Sequence, residues 1–144
     1  MQQAPGSPEL DAEIDDLGRA AAAAGVQDTD AQSRLWKAVF SLAHWVFIAR
    51  GELPNVQPMA VLVERTPMLL AFTSAERARE SALARGLADS EDAVRLLAVP
   101  VGSFVESVPT YLGAGLAGIL FNEQQLGFTA PLQNLAAIRA HVTA

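Results

Sequence analysis

The chain contains no cysteine and only two histidines among its 144 residues, which narrows the chemistry available to it. Without cysteine there is no disulfide, no thiol nucleophile, no iron–sulfur cluster and no zinc site built on thiolates. His44 and His141 stand far apart in the sequence, and neither lies in an HExxH motif. We therefore expect a hydrogen-bonded structural histidine at His44 and a solvated His141 that complements the dipole of its helix, with no metal site and no cofactor.

Basic residues are also few, since 10 Lys and Arg stand against 16 Asp and Glu and leave a net charge of −6. A nucleic-acid-binding surface needs a basic face, so this balance argues against a nucleic-acid partner. The longest apolar run, residues 38–49, would span about 18 Å as a helix, short of the ~30 Å hydrocarbon core of a bilayer. The first residues show no signal-peptide pattern. We predict a cytoplasmic protein without a membrane span.

Hydrophobic residues make up 51% of the chain, which is enough to bury the core of one domain of this length. The pattern divides the chain into a flexible N-terminus over residues 1–7, an acidic amphipathic helix over 8–25 and an α+β domain over 26–144. In the domain, helical and strand-like segments alternate without a regular βαβ rhythm. This pattern indicates a sheet of about five strands, mixed or mainly antiparallel, with helices packed against it.

The acidic helix begins with Ser7 and Pro8, which are favourable residues at a helix start, and it ends at Gly25. Its apolar stripe has few large side chains, so the helix needs another surface to pack against. That surface belongs to its own domain, to another protein or to a second copy of the chain. A basic partner would suit the five acids of this helix, which are Glu9, Asp11, Glu13, Asp15 and Asp16.

Two helix starts in the domain show the spacing of a capping box, Thr29 with Gln32 and Thr73 with Glu76. Residues 100–112 also have helical spacing, but Pro109 interrupts them, so helix and loop both stay open. Strand patterns cover residues 45–48, 59–64, 68–72, 94–99 and 116–121, and the second and third of these predict a hairpin.

Gly113, Gly115 and Gly118 form a GxGxxG motif, which is the pattern of a dinucleotide-binding turn. Such a site needs a helix after the motif and an acid about 20 residues further on. Here a strand-like run follows, and the last acid of the chain is Glu123. We interpret these glycines as a bend that leads into a buried strand.

Other catalytic patterns are weak. Carboxylate pairs occur at Asp15-Asp16 and Glu91-Asp92, and no GxSxG motif is present. Adjacent acids on a helix point in different directions, so the first pair is typical of a solvated face, and the second is typical of a turn. We predict no catalytic residues and a protein that is not an enzyme.

Polar side chains follow two of the predicted strands. Thr73 and Ser74 open a helix whose first turn holds Glu76, and Asn122 follows the strand that ends at Phe121. Helix N-termini carry unpaired N–H groups that favour anions, and parallel neighbouring strands would bring both ends to one edge. Thr73, Ser74, Glu76 and Asn122 are therefore candidates for binding a small anion. The other interpretation is ordinary capping by Thr73 and an ordinary turn at Asn122.

Four segments carry a family resemblance: residues 35–38 (LWKA), the aromatic–valine strand after them, residues 68–76 (MLLAFTSAE) and residues 118–122 (GILFN). Together they resemble the SseB N-terminal domain family over about residues 30–142. That family is associated with enhanced serine sensitivity and, by name, type III secretion. The resemblance implies a bacterial α+β protein with a non-enzymatic role, and it supplies no catalytic residues. Members usually have proline after the asparagine, where this chain has Glu123.

The residues and the resemblance together predict a non-enzymatic, SseB-like interaction or regulatory module. It binds another protein or a second copy of itself, and the acidic helix is the expected contact. The alternative is a sensor for a small molecule or anion that uses the strand ends near Thr73 and Asn122.

Overall fold

The computed structural model describes residues 8–25, 28–51, 55–90, 93–125 and 127–143. Within these ranges five α-helices surround seven strands, which confirms the predicted α+β class. The helices are α1 (Pro8–Ala24), α2 (Thr29–Phe40), α3 (Ala75–Ala84), α4 (Val101–Gly113) and α5 (Leu135–Thr143). The strands are β1 (His44–Arg50), β2 (Gln57–Pro58), β3 (Ala60–Val63), β4 (Thr66–Phe72), β5 (Leu96–Pro100), β6 (Gly118–Phe121) and β7 (Phe128–Pro131). The predicted flexible segment 1–7 and the pair Glu91-Asp92 lie outside the described residues.

The strands form one mixed sheet in which β4 and β6 are the parallel neighbours. The other pairings are antiparallel, with β1 between β5 and β4 and with β7 beyond β6. The expected number of five strands is too low, because β2 and β7 were not counted. Both are short and contain proline, so they form through pairing with β1 and β6 rather than through strand propensity.

The predicted hairpin is confirmed as β3 and β4, with Val63 paired to Thr66. The two residues between them, Glu64 and Arg65, have φ values of +50° and +70°. Two central residues with positive φ are the mark of a type I′ turn, whose twist matches that of the flanking strands. The turn lies one residue earlier than the predicted connection at residues 65–67.

The segment around Pro109 is a helix, α4. Its side chains Phe104, Val105 and Val108 are buried, whereas Pro109 lies on the exposed side. Packing of the buried face therefore outweighs the backbone hydrogen bond that proline cannot donate. The glycine motif connects α4 to β6, so the predicted bend into a buried strand is confirmed.

Helices cover both faces of the sheet. One face packs on α1, α2, α4 and α5, and the other packs on α3. Helix α1 contributes Ile14 and Ala21 to the larger core. Within this larger core, the buried indole of Trp45 donates a hydrogen bond to the carbonyl of Val39 at 3.0 Å and contacts the ring of Phe121 edge-on. The acidic helix is thus packed against its own domain.

The start of α2 differs from the predicted capping box. The cap is Asp28, whose carboxylate accepts a hydrogen bond from the N–H of Ala31 at 3.0 Å, and Thr29 is already the first helical residue. Aspartate is at least as good a helix cap as threonine, so the helix begins one residue earlier than the Thr29–Gln32 spacing indicates. Among the described residues, no helix is long and apolar enough to cross a membrane.

Candidate functional site

The candidate site is the edge of the sheet where β4 and β6 end. Because these strands are parallel and Ala71 pairs with Phe121, the residues that follow them meet at one edge, as predicted. Thr73 and Asn122 are each 1% exposed, and Ser74 is also buried. We call these three residues the strand-end rim.

Asn122 joins the two strand ends. Its side-chain oxygen accepts a hydrogen bond from the N–H of Thr73 at 3.1 Å, and its amide nitrogen donates to the Thr73 hydroxyl at 3.0 Å. The backbone N–H of Asn122 donates a hydrogen bond to the carbonyl of Ala71 at 3.0 Å. Asn122 forms these bonds with a φ of +52°, a left-handed conformation that asparagine tolerates better than most residues. The predicted ordinary turn at Asn122 is therefore also a clamp between strands.

The rim binds a carboxylate that comes from the acidic helix. Asp11 of α1 accepts hydrogen bonds from the Thr73 hydroxyl at 2.5 Å and from the Ser74 hydroxyl at 2.6 Å. Asp11 is only 4% exposed. Buried carboxylates are stable only when they are hydrogen-bonded and paired with a positive charge, so this contact needs a cation beside it.

That cation is Arg77 in the first part of α3. Its guanidinium donates two parallel hydrogen bonds to Asp15, at 2.6 and 2.7 Å, and its Nε lies 3.3 Å from a carboxylate oxygen of Asp11. The hydrogen bond to Asp15 raises the pKa of Arg77 above its ordinary value, against the opposing effect of burial. We call the contact of Asp11 and Asp15 with Thr73, Ser74 and Arg77 the α1 latch.

The latch explains why the cap of α3 differs from the prediction. The cap is Ser74, whose hydroxyl oxygen accepts a hydrogen bond from the N–H of Arg77 at 3.3 Å. The Thr73 hydroxyl donates to Asp11 instead. Glu76 is exposed, and its side chain forms no hydrogen bond or ion pair with any other described residue. The predicted Thr73–Glu76 capping box is therefore wrong.

A second ion pair lies beside the rim. Glu123 accepts a hydrogen bond from Nε of Arg85 at 2.6 Å and another from the hydroxyl of Ser81. Burial opposes ionisation of Glu123, but the hydrogen bonds from Arg85 and Ser81 outweigh it and hold the pKa of this carboxyl below its ordinary value. This pair fastens α3 to the turn after β6.

The lowered pKa of Glu123 predicts a pH-dependent contribution to stability. A carboxyl whose pKa is lower in the folded state stabilises the fold above its unfolded pKa, and this stabilisation is lost as the pH falls through the folded pKa. We expect the stability difference between the wild type and Glu123→Gln to shrink as the pH is lowered below about 4.5. Urea unfolding from neutral to acidic pH measures it, and a difference that stays constant would contradict the assignment.

The five acids of α1 separate into two groups. Asp11 and Asp15 face the domain through the latch, whereas Glu9, Glu13 and Asp16 are exposed. Asp16 also pairs with Arg19 on the surface of α1. The inward pair contacts residues 62 positions away in the chain, so the sequence of α1 alone does not show these contacts.

Three further residues complete the site and were not predicted: Arg77 and Ser81 of α3, and Arg85, which caps the C-terminus of this helix. They recur every four residues, so they lie on one side of the helix. Each of them meets a carboxylate, either from α1 or at Glu123. The regular spacing of polar and basic residues was the available signal for a helix face that binds acids.

Two cavities lie away from the rim. One, of about 610 Å³, runs between α2 and α5 past Trp36 and Ile138. The other, of about 410 Å³, lies near Thr66, Gly118 and Pro131 at the opposite ends of β4 and β6. His141 lines the first cavity with its Nε2 3.2 Å from the Ser33 hydroxyl. Neither cavity is lined by a residue of the rim.

The chemistry of the site is recognition of carboxylates by hydroxyl groups and a guanidinium. Among the described residues, no cluster of three or more His, Asp or Glu side chains is placed to hold a metal ion. The exposed His44 begins β1 and lies outside the latch. Compared with protein-family models, with curated proteins and with solved structures, the chain gives no significant match.

Proposed function

We propose that this chain is a non-enzymatic interaction or regulatory module that binds another protein through the outward face of α1. The observation that supports the proposal is the α1 latch, because it fixes the orientation of the helix. A helix that is held in one orientation binds without the entropic cost of being ordered. Its outward acids, Glu9, Glu13 and Asp16, are then presented together.

The charges of this face define the kind of partner. Glu9, Glu13 and Asp16 follow one another at spacings of four and three residues, so their side chains share one side of the helix. The net charge of −6 adds a long-range attraction for a basic surface. The partner that fits is a protein with a basic patch, and its binding should weaken with salt.

The family resemblance supports the same proposal. The segments at residues 35–38, 68–76 and 118–122 resemble the SseB N-terminal domain family, which implies a non-enzymatic role in a bacterial protein. The rim residues Thr73, Ser74 and Asn122 belong to two of these segments. In this chain, the strand ends of the SseB-like region would therefore hold a helix, α1, that lies outside the resemblance.

Removing the outward charges should weaken partner binding about tenfold, because charge pairs at an interface rim contribute modestly and mainly through the association rate. The variant is Glu9→Gln/Glu13→Gln/Asp16→Asn. The partner is first captured with the tagged wild type in its source organism and identified by mass spectrometry. Its affinity is then measured at low and high salt.

The matched control is Glu64→Gln/Asp89→Asn/Glu106→Gln, which removes the same charge from exposed positions outside α1. This control should bind the partner almost as tightly as the wild type. Equal weakening by both variants would mean that net charge alone matters. Wild-type affinity in the α1 variant would show that the partner binds elsewhere.

A second candidate function is a sensor for a small anion at the strand-end rim. It is favoured by Asp11, whose carboxylate lies where an anionic ligand would, on the hydroxyls of Thr73 and Ser74. The two candidates make opposite demands on α1. A protein partner on the outward face needs the helix in place, whereas an anion at the rim has to displace it.

A further inference from the structure

We propose that α1 is the intramolecular occupant of a helix-binding site, and that this site accepts an acidic helix of a partner protein when α1 leaves. This inference concerns the inward face of α1, so it goes beyond the outward face proposed above. The partner helix should carry the same chemical groups as α1, because α1 occupies the site in the structure.

The polar half of the site is separate from the helix it binds. Thr73, Ser74 and Arg77 provide all the donors of the latch; the first two lie in the step between β4 and α3, and Arg77 lies in α3. The acceptors are two carboxylates of α1, Asp11 and Asp15, four residues apart. The Arg77 guanidinium and the hydroxyls of Thr73 and Ser74 are buried while α1 is docked, and they would lose these acceptors together if α1 left. Such a set of donors favours a helix that carries two carboxylates at this spacing.

The apolar half of the site determines which apolar and small residues the bound helix has to carry. Ile14 and Ala21 are buried in the larger core, at 1% and 2% exposure. Gly18 lies between them, where an added Cβ would come within 4.0 Å of the Phe128 ring. The occupant is therefore a helix with carboxylates at two positions four residues apart, a branched apolar residue just before the second, and small residues further along.

Helix α1 can leave without dismantling the domain. It contributes no strand to the sheet, and it is joined to α2 through residues 25–28. Outside the latch, the side-chain amide of Gln32 donates a 3.3 Å hydrogen bond to the carbonyl of Ala21 near the end of α1. Segments attached in this way open locally at a lower free energy than global unfolding.

The probe is a peptide of residues 8–25 with blocked ends and a fluorescent label, added in trans to the full chain. In the wild type it must compete with α1, so the apparent affinity is reduced by the small fraction of open molecules. Asp11→Asn/Asp15→Asn in the chain weakens the intramolecular occupant but leaves Thr73, Ser74 and Arg77 unchanged. We expect this variant to bind the wild-type peptide at least about tenfold more tightly than the wild-type chain does.

Two control variants and two further measurements complete the experiment. The chain variant Asp89→Asn/Glu106→Gln removes equal charge outside the site and should behave as wild type. A peptide with Asn at positions 11 and 15 should bind the latch variant at least about tenfold more weakly than the wild-type peptide. Hydrogen exchange should report faster exchange of the α1 amides of the chain when the wild-type peptide is bound, and circular dichroism confirms that each variant is folded.

Several results would overturn the proposal. One is a latch variant that binds the peptide no better than the charge control does. Another is loss of α1 protection on adding inorganic phosphate or acetate, which would assign the site to small anions. A third is dimerisation of the wild-type chain that Arg77→Leu abolishes, which would assign the site to α1 of a second copy. None of these results depends on Glu9, Glu13 and Asp16. The proposed binding of a basic partner to the outward face of α1 is therefore tested independently of this site.

Discussion

Replacing Arg77 by leucine is expected to lower the free energy of unfolding by about 3 kcal/mol or more. The change leaves the buried carboxylate of Asp11 and the half-buried one of Asp15 without their cation. Removal of one partner of a buried ion pair is costly because the other charge stays away from water without compensation. The fold should then keep its sheet but hold α1 weakly.

Urea denaturation of the wild type and Arg77→Leu measures this effect, with Arg19→Leu as the matched control. Arg19 also pairs with an aspartate of α1, Asp16, but their side chains are 62% and 74% exposed. Exposed pairs contribute little, so the control should change stability by less than about 1 kcal/mol. In the double variant Asp11→Asn/Arg77→Leu, much of the loss should be recovered. Equal effects of Arg77→Leu and Arg19→Leu would contradict the latch.

Asn122→Ala should lower the free energy of unfolding by about 3 kcal/mol, for two reasons that add. Alanine leaves the buried N–H and hydroxyl of Thr73 without the side-chain amide, which costs roughly 1–3 kcal/mol. It also has to adopt the left-handed φ of +52°, which costs about 1–2 kcal/mol for a residue with an ordinary side chain.

The variant Asn122→Gly separates the two causes. Glycine adopts positive φ without strain but also lacks the amide, so it should be more stable than Asn122→Ala by about 1 kcal/mol while staying below the wild type. Urea midpoints and slopes of the three proteins provide the test. If Asn122→Ala were as stable as the wild type, the clamp between the strand ends would have no energetic role.

Local sequence patterns predicted the helices and strands of this fold better than they predicted the contacts between them. The hairpin of β3 and β4 and the bend into β6 follow from turn residues and hydrophobic runs, which act over a few positions. Strands β2 and β7 do not, because each is short, ends in proline and forms through pairing with its neighbour, β1 or β6. Helix α4 contains Pro109, and its boundaries depend on burial against the sheet.

The candidate site was likewise predictable only in part. The strand ends at Thr73 and Asn122 could be recognised from sequence, because polar residues directly after buried strands mark an edge. The arrival of Asp11 could not, since it joins residues 62 positions apart and needs the path of α1 across the domain. The pairing of Arg77 with that helix follows from the same long-range packing. Long-range pairings of this kind are set by the whole fold, and a single sequence does not display them.

The clamp at Asn122 has a consequence for the order of folding. The surface that receives Asp11 includes Thr73 after β4, whose position is fixed by Asn122 after β6. A slip of one residue between these strands would turn each side chain to the opposite face of the sheet and break the surface. Helix α1 can therefore dock only after β4 and β6 have found their register. We therefore expect docking of α1 to be a late folding step, which takes place on sheets whose strands are correctly paired.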